Sequence, residues 1–124
     1  EDHIDALILA ISKGKPGGKY CIGGYGEHTN LDIIMKICEI IDLQNNTKNS
    51  FKNLATFVED RPGHDKRYAI NSDLAKKELN WHPKFEFKSA LEKTVQWYIK
   101  HEKWCERISK KASYQGQRIG TYQR

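Results

Sequence analysis

Seven apolar residues, Leu31, Ile33, Ile34, Ile37, Cys38, Ile40 and Ile41, fall at helical spacing just after the glycines Gly23, Gly24 and Gly26. No other feature constrains the chain as strongly. The spacing predicts a long amphipathic helix whose apolar stripe has to be covered. Its start carries two capping readings: Thr29 with Asp32 three residues later, or Asn30 itself as the cap.

Around that helix the punctuation is clear. A first helix is expected from about Ile4 to Ser12, opened by Asp2 and stopped by Gly14, Pro16, Gly17 and Gly18. Residues 19–23, 55–59 and 67–70 read as short strands, and the Asn-rich residues 44–53 as a loop. Ser72 is placed to cap a helix over residues 73–79, and Asn80 to end it in the left-handed conformation. A final helix is predicted from Phe87 to about Arg107, with Trp97 and Trp104 packing on it. The order of elements describes a small mixed α/β domain with a minimal sheet.

Of 124 residues, 38% are hydrophobic, enough for a modest core in one compact soluble unit. No apolar run approaches a membrane span. The cysteines Cys21, Cys38 and Cys105 are odd in number and lack CxxC spacing, which points away from a disulfide framework or zinc site and towards a reducing, cytoplasmic setting. The net charge of +5 lies wholly in residues 100–124, which hold seven Lys/Arg against Glu102 and Glu106. A basic tail over 108–124 with nearby aromatics could meet nucleic acid, but no nucleic-acid motif accompanies it. The chain opens on Glu1 at a helix cap, which reads as the C-terminal part of a longer protein.

The stretch from Phe57 to Asn71 gathers Glu59, Asp60, Arg61, His64, Asp65, Lys66 and Arg67 around Pro62-Gly63. Pro and Gly set a tight turn, so Arg61 and His64 would project together from a strand end. Arg61 offers a planar fork suited to a diphosphate, and His64 a further donor. A solvated turn with weak local pairs such as Asp60 to Lys66 is equally open on these residues alone. Gly24-Tyr25-Gly26 supplies GxG after a strand-like segment, but Thr29 stands at the third small position and no ribose-binding acid follows. The amides that open the Asn30 helix still favour an anion. No nucleophile motif and no metal-ligand spacing is visible.

Together, EDHIDALILAI, YCIGGYGEHTNLDIIMKICEIID, FVEDRPGHDKRYAINSDLAKKELNWHP and ALEKTVQWY resemble, in order, the C-terminal part of the dTDP-glucose 4,6-dehydratases, NAD-dependent members of the extended short-chain dehydrogenase/reductase superfamily. RPGHD-x-RYAI carries most of the specificity. The resemblance implies a parent enzyme that oxidises C4 of the sugar with NAD, removes water across C5 and C6 and returns the hydride to C6. Its NAD-binding Rossmann domain and its catalytic residues lie upstream of the matching part. The implied layout is a helix returning from that domain (1–15), a sugar-nucleotide-binding domain (16–107) and a basic tail (108–124). By the same resemblance Asn30 contacts the nucleotide and Asp60, Arg61, Pro62, Gly63 and His64 hold the diphosphate of a dTDP-sugar, in a cytoplasmic homodimer. A related sugar-nucleotide dehydratase or epimerase is the alternative, and a stand-alone nucleic-acid-binding module a third reading. The chain departs from the family at Gly26, often Asn, at Asn71, usually Asp, and at Asn80, commonly Gly.

Overall fold

The computed structural model describes residues 1–24, 26–45 and 48–111. Five α-helices follow one another: α1 (Asp2–Lys13), α2 (Asn30–Asn45), α3 (Asp73–Leu79), α4 (Phe87–Lys100) and α5 (Glu102–Lys111). A single 3-10 turn, Phe51–Leu54, lies between α2 and α3. The chain divides into two compact units, one made of Glu1–His28 and Arg67–Ala90, the other of Thr29–Lys66 and the chain from Leu91. None of the described helices is long and apolar enough to cross a membrane.

The first unit is built where α1 packs on α3. Its core consists of Ala6, Ala75, Leu79 and Trp81, with Leu9, Ala10, Tyr20 and Ile22 against it. Two alanines at the helix contact let the backbones approach closely, and full burial of Leu79 adds about 2 kcal/mol of hydrophobic stabilisation. Trp81 is 2% exposed, and its ring N–H donates to the Asp2 carbonyl at 3.0 Å. The Asp2 carboxylate in turn accepts from the amides of Lys84 (3.0 Å) and Phe85 (3.3 Å). The first residue of α1 therefore holds the loop that follows α3. Asn80 ends α3 at φ 55°, ψ 36°, in the left-handed conformation the sequence asks of it. At the other end of α3, Ser72 occupies the cap position but makes no side-chain cap bond. Asn71 does that work, its Oδ1 accepting from the Asp73 amide at 2.8 Å. The replacement of the family's usual Asp by Asn at this position is thus neutral for the turn, because both side chains carry the needed acceptor.

In the second unit α2 packs against the 3-10 turn. Asp42 fastens the two, its carboxylate accepting from Ser50 Oγ (2.5 Å) and from the Phe51 amide (2.9 Å). Ser50 then receives the Lys52 amide at 3.2 Å, and Lys52 pairs with Glu39 at 2.5 Å. Part of the segment expected as loop is therefore ordered helix.

Three expectations change. The minimal sheet is absent among the described residues: 19–23, 55–59 and 67–70 have no strand geometry. A strand exists only with a ladder partner for its amides and carbonyls, and β-branched composition cannot supply one. Two of these segments do approach, since a Cβ added at Gly23 would meet the Ile70 side chain at 3.1 Å. The final helix breaks after Lys100, where the His101 ring Nδ1 lies 2.7 Å from the Trp97 carbonyl that also receives the His101 amide. It resumes to Lys111, so residues 108–111 of the expected tail are helical. Residues 112–124 lie outside the described residues.

Trp81→Phe removes the bond to the Asp2 carbonyl and should lower stability by about 0.5–1.5 kcal/mol through that bond alone, read as a shift in the urea midpoint. A second expectation concerns acid. Glu78 accepts from Lys15 (2.6 Å) and Tyr20 (2.9 Å), and these two bonds, Lys15 first, hold its carboxyl below the usual carboxylate range. A folded-state value below the unfolded one gives stability that is complete above the ordinary carboxylate range and is lost as pH falls through the lower folded value. Tyr20→Phe should therefore flatten the acid limb of a stability-against-pH profile.

Candidate functional site

The residues singled out in the sequence fall on two pieces of the second unit: the start of α2 and the turn at Pro62-Gly63. At the helix start the structure decides between the two caps. Thr29 Oγ1 accepts from the Asp32 amide at 3.1 Å, while Asp32 Oδ2 receives the Thr29 amide (3.2 Å) and hydroxyl (2.7 Å). This reciprocal pair is a capping box with Asp in the place of Glu. Asn30 is then the first helical residue and is exposed. Its amide side chain is not spent on closing the helix.

The turn itself follows from its two central residues. Pro62 presets φ for the second position, and Gly63 takes φ +70° at the third, the pattern of a type II turn. The His64 amide closes it onto the Arg61 carbonyl at 3.2 Å. Arg61 and His64 are thereby its first and fourth residues, brought together by the turn rather than by a strand end. Asp60 Oδ1 lies 2.9 Å from His64 Nδ1, which fixes the ring and leaves Nε2 as its other hydrogen-bonding atom. The expected Asp60 to Lys66 pair is replaced by this one. Arg61 is exposed, and among the described residues no acid holds its guanidinium.

Arg67, from the same charged stretch, is used differently. Its guanidinium grips Glu27 through two bonds, Nε at 3.1 Å from Oε2 and Nη2 on Oε1. That hydrogen bond, and then the charge, hold the Glu27 carboxyl below its usual range. Arg67 and Glu27 are both in the first unit. Of the cluster's cations Arg67 is tied, whereas Arg61 and Lys66 are held in no ion pair among the described residues. Sequence reasoning missed Glu27, because 40 residues separate it from its partner and no local pattern marks it.

The glycine run does not form a nucleotide cradle. Gly26 sits at φ +117°, which an L side chain rarely adopts, and a Cβ there would meet His28 Nε2 at 3.1 Å. Asparagine, frequent at this position in the resembling family, would be strained in this backbone. Tyr25, the middle of the GxG, lies outside the described residues.

At the turn an exposed guanidinium stands beside an imidazole oriented by Asp60, and the start of α2 presents an exposed Asn30. A family model described as GDP-mannose 4,6 dehydratase matches residues 1–94, and the chain belongs to this family of sugar-nucleotide dehydratases. It is similar to dTDP-glucose 4,6-dehydratase of Shigella flexneri, 42% identical over 115 residues, which cover 93% of this chain and 32% of the relative. The corresponding protein of Neisseria meningitidis serogroup B is 38% identical over 98% of this chain and 35% of its own length. A crystal structure of dTDP-glucose 4,6-dehydratase from Bacillus anthracis in complex with NAD superposes with a TM-score of 0.69 at 40% identity, over 83% of this chain and 30% of that one. The fold is therefore shared with the matching part of that enzyme. The chain spans about a third of the length of the curated relatives it matches.

Gly63→Ala tests the turn. No atom lies within 4 Å of the added Cβ, so the cost is conformational alone. It should be about 1 kcal/mol in denaturant unfolding, with Gly63→Asn milder because Asn tolerates the left-handed region.

Proposed function

We propose that this chain is the sugar-nucleotide-binding part of a dTDP-glucose 4,6-dehydratase, which converts dTDP-glucose to dTDP-4-keto-6-deoxyglucose with loss of water. The observation that carries the reading is the untied Arg61 guanidinium at the type II turn, beside a His64 ring oriented by Asp60. A fork of N–H donors on a fixed turn suits a diphosphate, whose charge is the largest feature of such a substrate. His64 adds a donor from Nε2 when its ring is protonated, with Asp60 accepting at Nδ1. Asn30 is the nucleotide contact. Pro62 and Gly63 hold the shape, and Asp60 positions His64. The role of these residues is to bind and orient the substrate.

The family's chemistry runs through NAD, which when bound takes up a hydride and later gives it back. The residues of this chain do not fit it: no strand leads into the glycines, and Gly26 turns its open side onto His28 rather than onto a pyrophosphate. No step of the reaction is assigned to these residues, and the chain by itself is expected to be inactive. The division into 1–15, 16–107 and 108–124 belongs to the same reading. So do a minimal sheet, a homodimeric parent and a cytoplasmic setting.

The family model's description favours a second base and sugar, GDP-mannose. Calorimetric titration of dTDP-glucose and GDP-mannose separates the two readings by which one binds. Arg61→Ala should weaken binding of the preferred nucleotide by about 1.5–3 kcal/mol. Unchanged affinity would overturn the site.

A further inference from the structure

Trp97, His101, Trp104 and Ile108 are spaced four, three and four residues apart along α4 and α5. That is the repeat of a coiled-coil seam, with Trp97 and Trp104 at d and His101 and Ile108 at a. The break at His101 does not disturb the register, because His101 bonds back to Trp97 and Cys105 back to His101, both four residues earlier. The row stands in solvent: Trp97 is 41%, Trp104 44% and Ile108 42% exposed. Its rings are already interlocked, His101 stacked on Trp97 at 4.4 Å and Trp104 edge-on to it at 5.3 Å. A row of rings packed on one another is a ridge of knobs. It does not offer the separate open faces on which bases stack.

The flank is one-sided in charge. Lys100 and Arg107 occupy successive g positions beside the ridge, both exposed, and among the described residues neither is held in an ion pair. The acids of α5, Glu102 and Glu106, fall at b and f, away from the seam. A second copy of this chain is a poor match. Paired in parallel it would set Lys100 against Cys105, with no acid to meet it, and antiparallel it would set cation against cation.

We infer that the Trp97–Ile108 ridge docks an amphipathic helix of another protein whose apolar seam is flanked by acidic residues. The ridge supplies desolvated aromatic anchors, and Lys100 and Arg107 select the partner's charge. The ridge shares no residue with the Asp60–His64 turn, so the inference does not depend on the dehydratase reading.

The probe is a synthetic helical peptide with Leu at a and d and Glu at e and g, titrated into the chain by calorimetry. The same peptide with Lys at e and g and a single-stranded oligonucleotide are the other arms. The Glu peptide should bind and the Lys peptide should not, and Trp104→Ala should weaken binding by about tenfold or more. The double variant Lys100→Glu/Arg107→Glu, checked for helicity by circular dichroism, should reverse the preference between the peptides. A double variant that keeps the wild-type preference overturns the inference, as does oligonucleotide binding without peptide binding.

Discussion

The bond from the Trp81 ring N–H to the Asp2 carbonyl joins residues 79 apart in sequence, and the first unit is organised around it. An indole buried this deeply needs a partner for its one donor. A carbonyl oxygen has two lone pairs, so that of Asp2 can take the indole N–H beside a helical amide. Once that bond is made, the Asp2 carboxylate is within reach of the amides of Lys84 and Phe85, and the loop after α3 is closed. The contact of Ala6 with the core then follows from where α1 has been placed. The left-handed Asn80 completes the arrangement, since it turns the chain out of α3 so that Trp81 faces inward.

The second unit relies on short-range polar geometry instead of a deep core, Val95 being its one buried hydrophobic residue among those described. Thr29 and Asp32 close the start of α2, Asp42 fastens the 3-10 turn, and Pro62-Gly63 shapes the exposed turn. Such devices fix backbone locally at little cost in buried area. They also leave side chains beside them unspent: Asn30 is released by the Thr29 cap, and Arg61 by the Asp60 to His64 pair. A binding site for a charged ligand needs this combination of a fixed backbone and uncommitted polar groups.

The helices were legible because a period near 3.6 is written directly in the order of residues, and α3 was bounded correctly by Asp73 and Asn80. The cap of α2 was legible only as the alternatives Thr29 and Asn30, and that of α3 was assigned to Ser72 where its neighbour Asn71 makes the bond. Only backbone geometry tells which oxygen reaches the amide. The expected strands have no ladder among the described residues, for a reason of another kind. Tyr20, Cys21 and Ile22, or Thr56, Phe57 and Val58, have the composition of strands, but a ladder is a relation between two segments and neither segment encodes its partner. The turn at Pro62-Gly63 was read well, because Pro and Gly specify dihedral angles without help from elsewhere. Its ion pairs were not, and the Glu27 partner of Arg67 lay beyond any local pattern.

The three tryptophans are unequally distributed in a useful way. Trp81 is sealed in the first unit, whereas Trp97 and Trp104 stand partly in water in the second. An indole in a dry, packed setting emits at shorter wavelength and is shielded from a dissolved quencher, and one in contact with water shows the reverse. The chain therefore carries an intrinsic optical label for each unit, and an iodide-quenching series on the unmodified protein can follow the melting of one independently of the other.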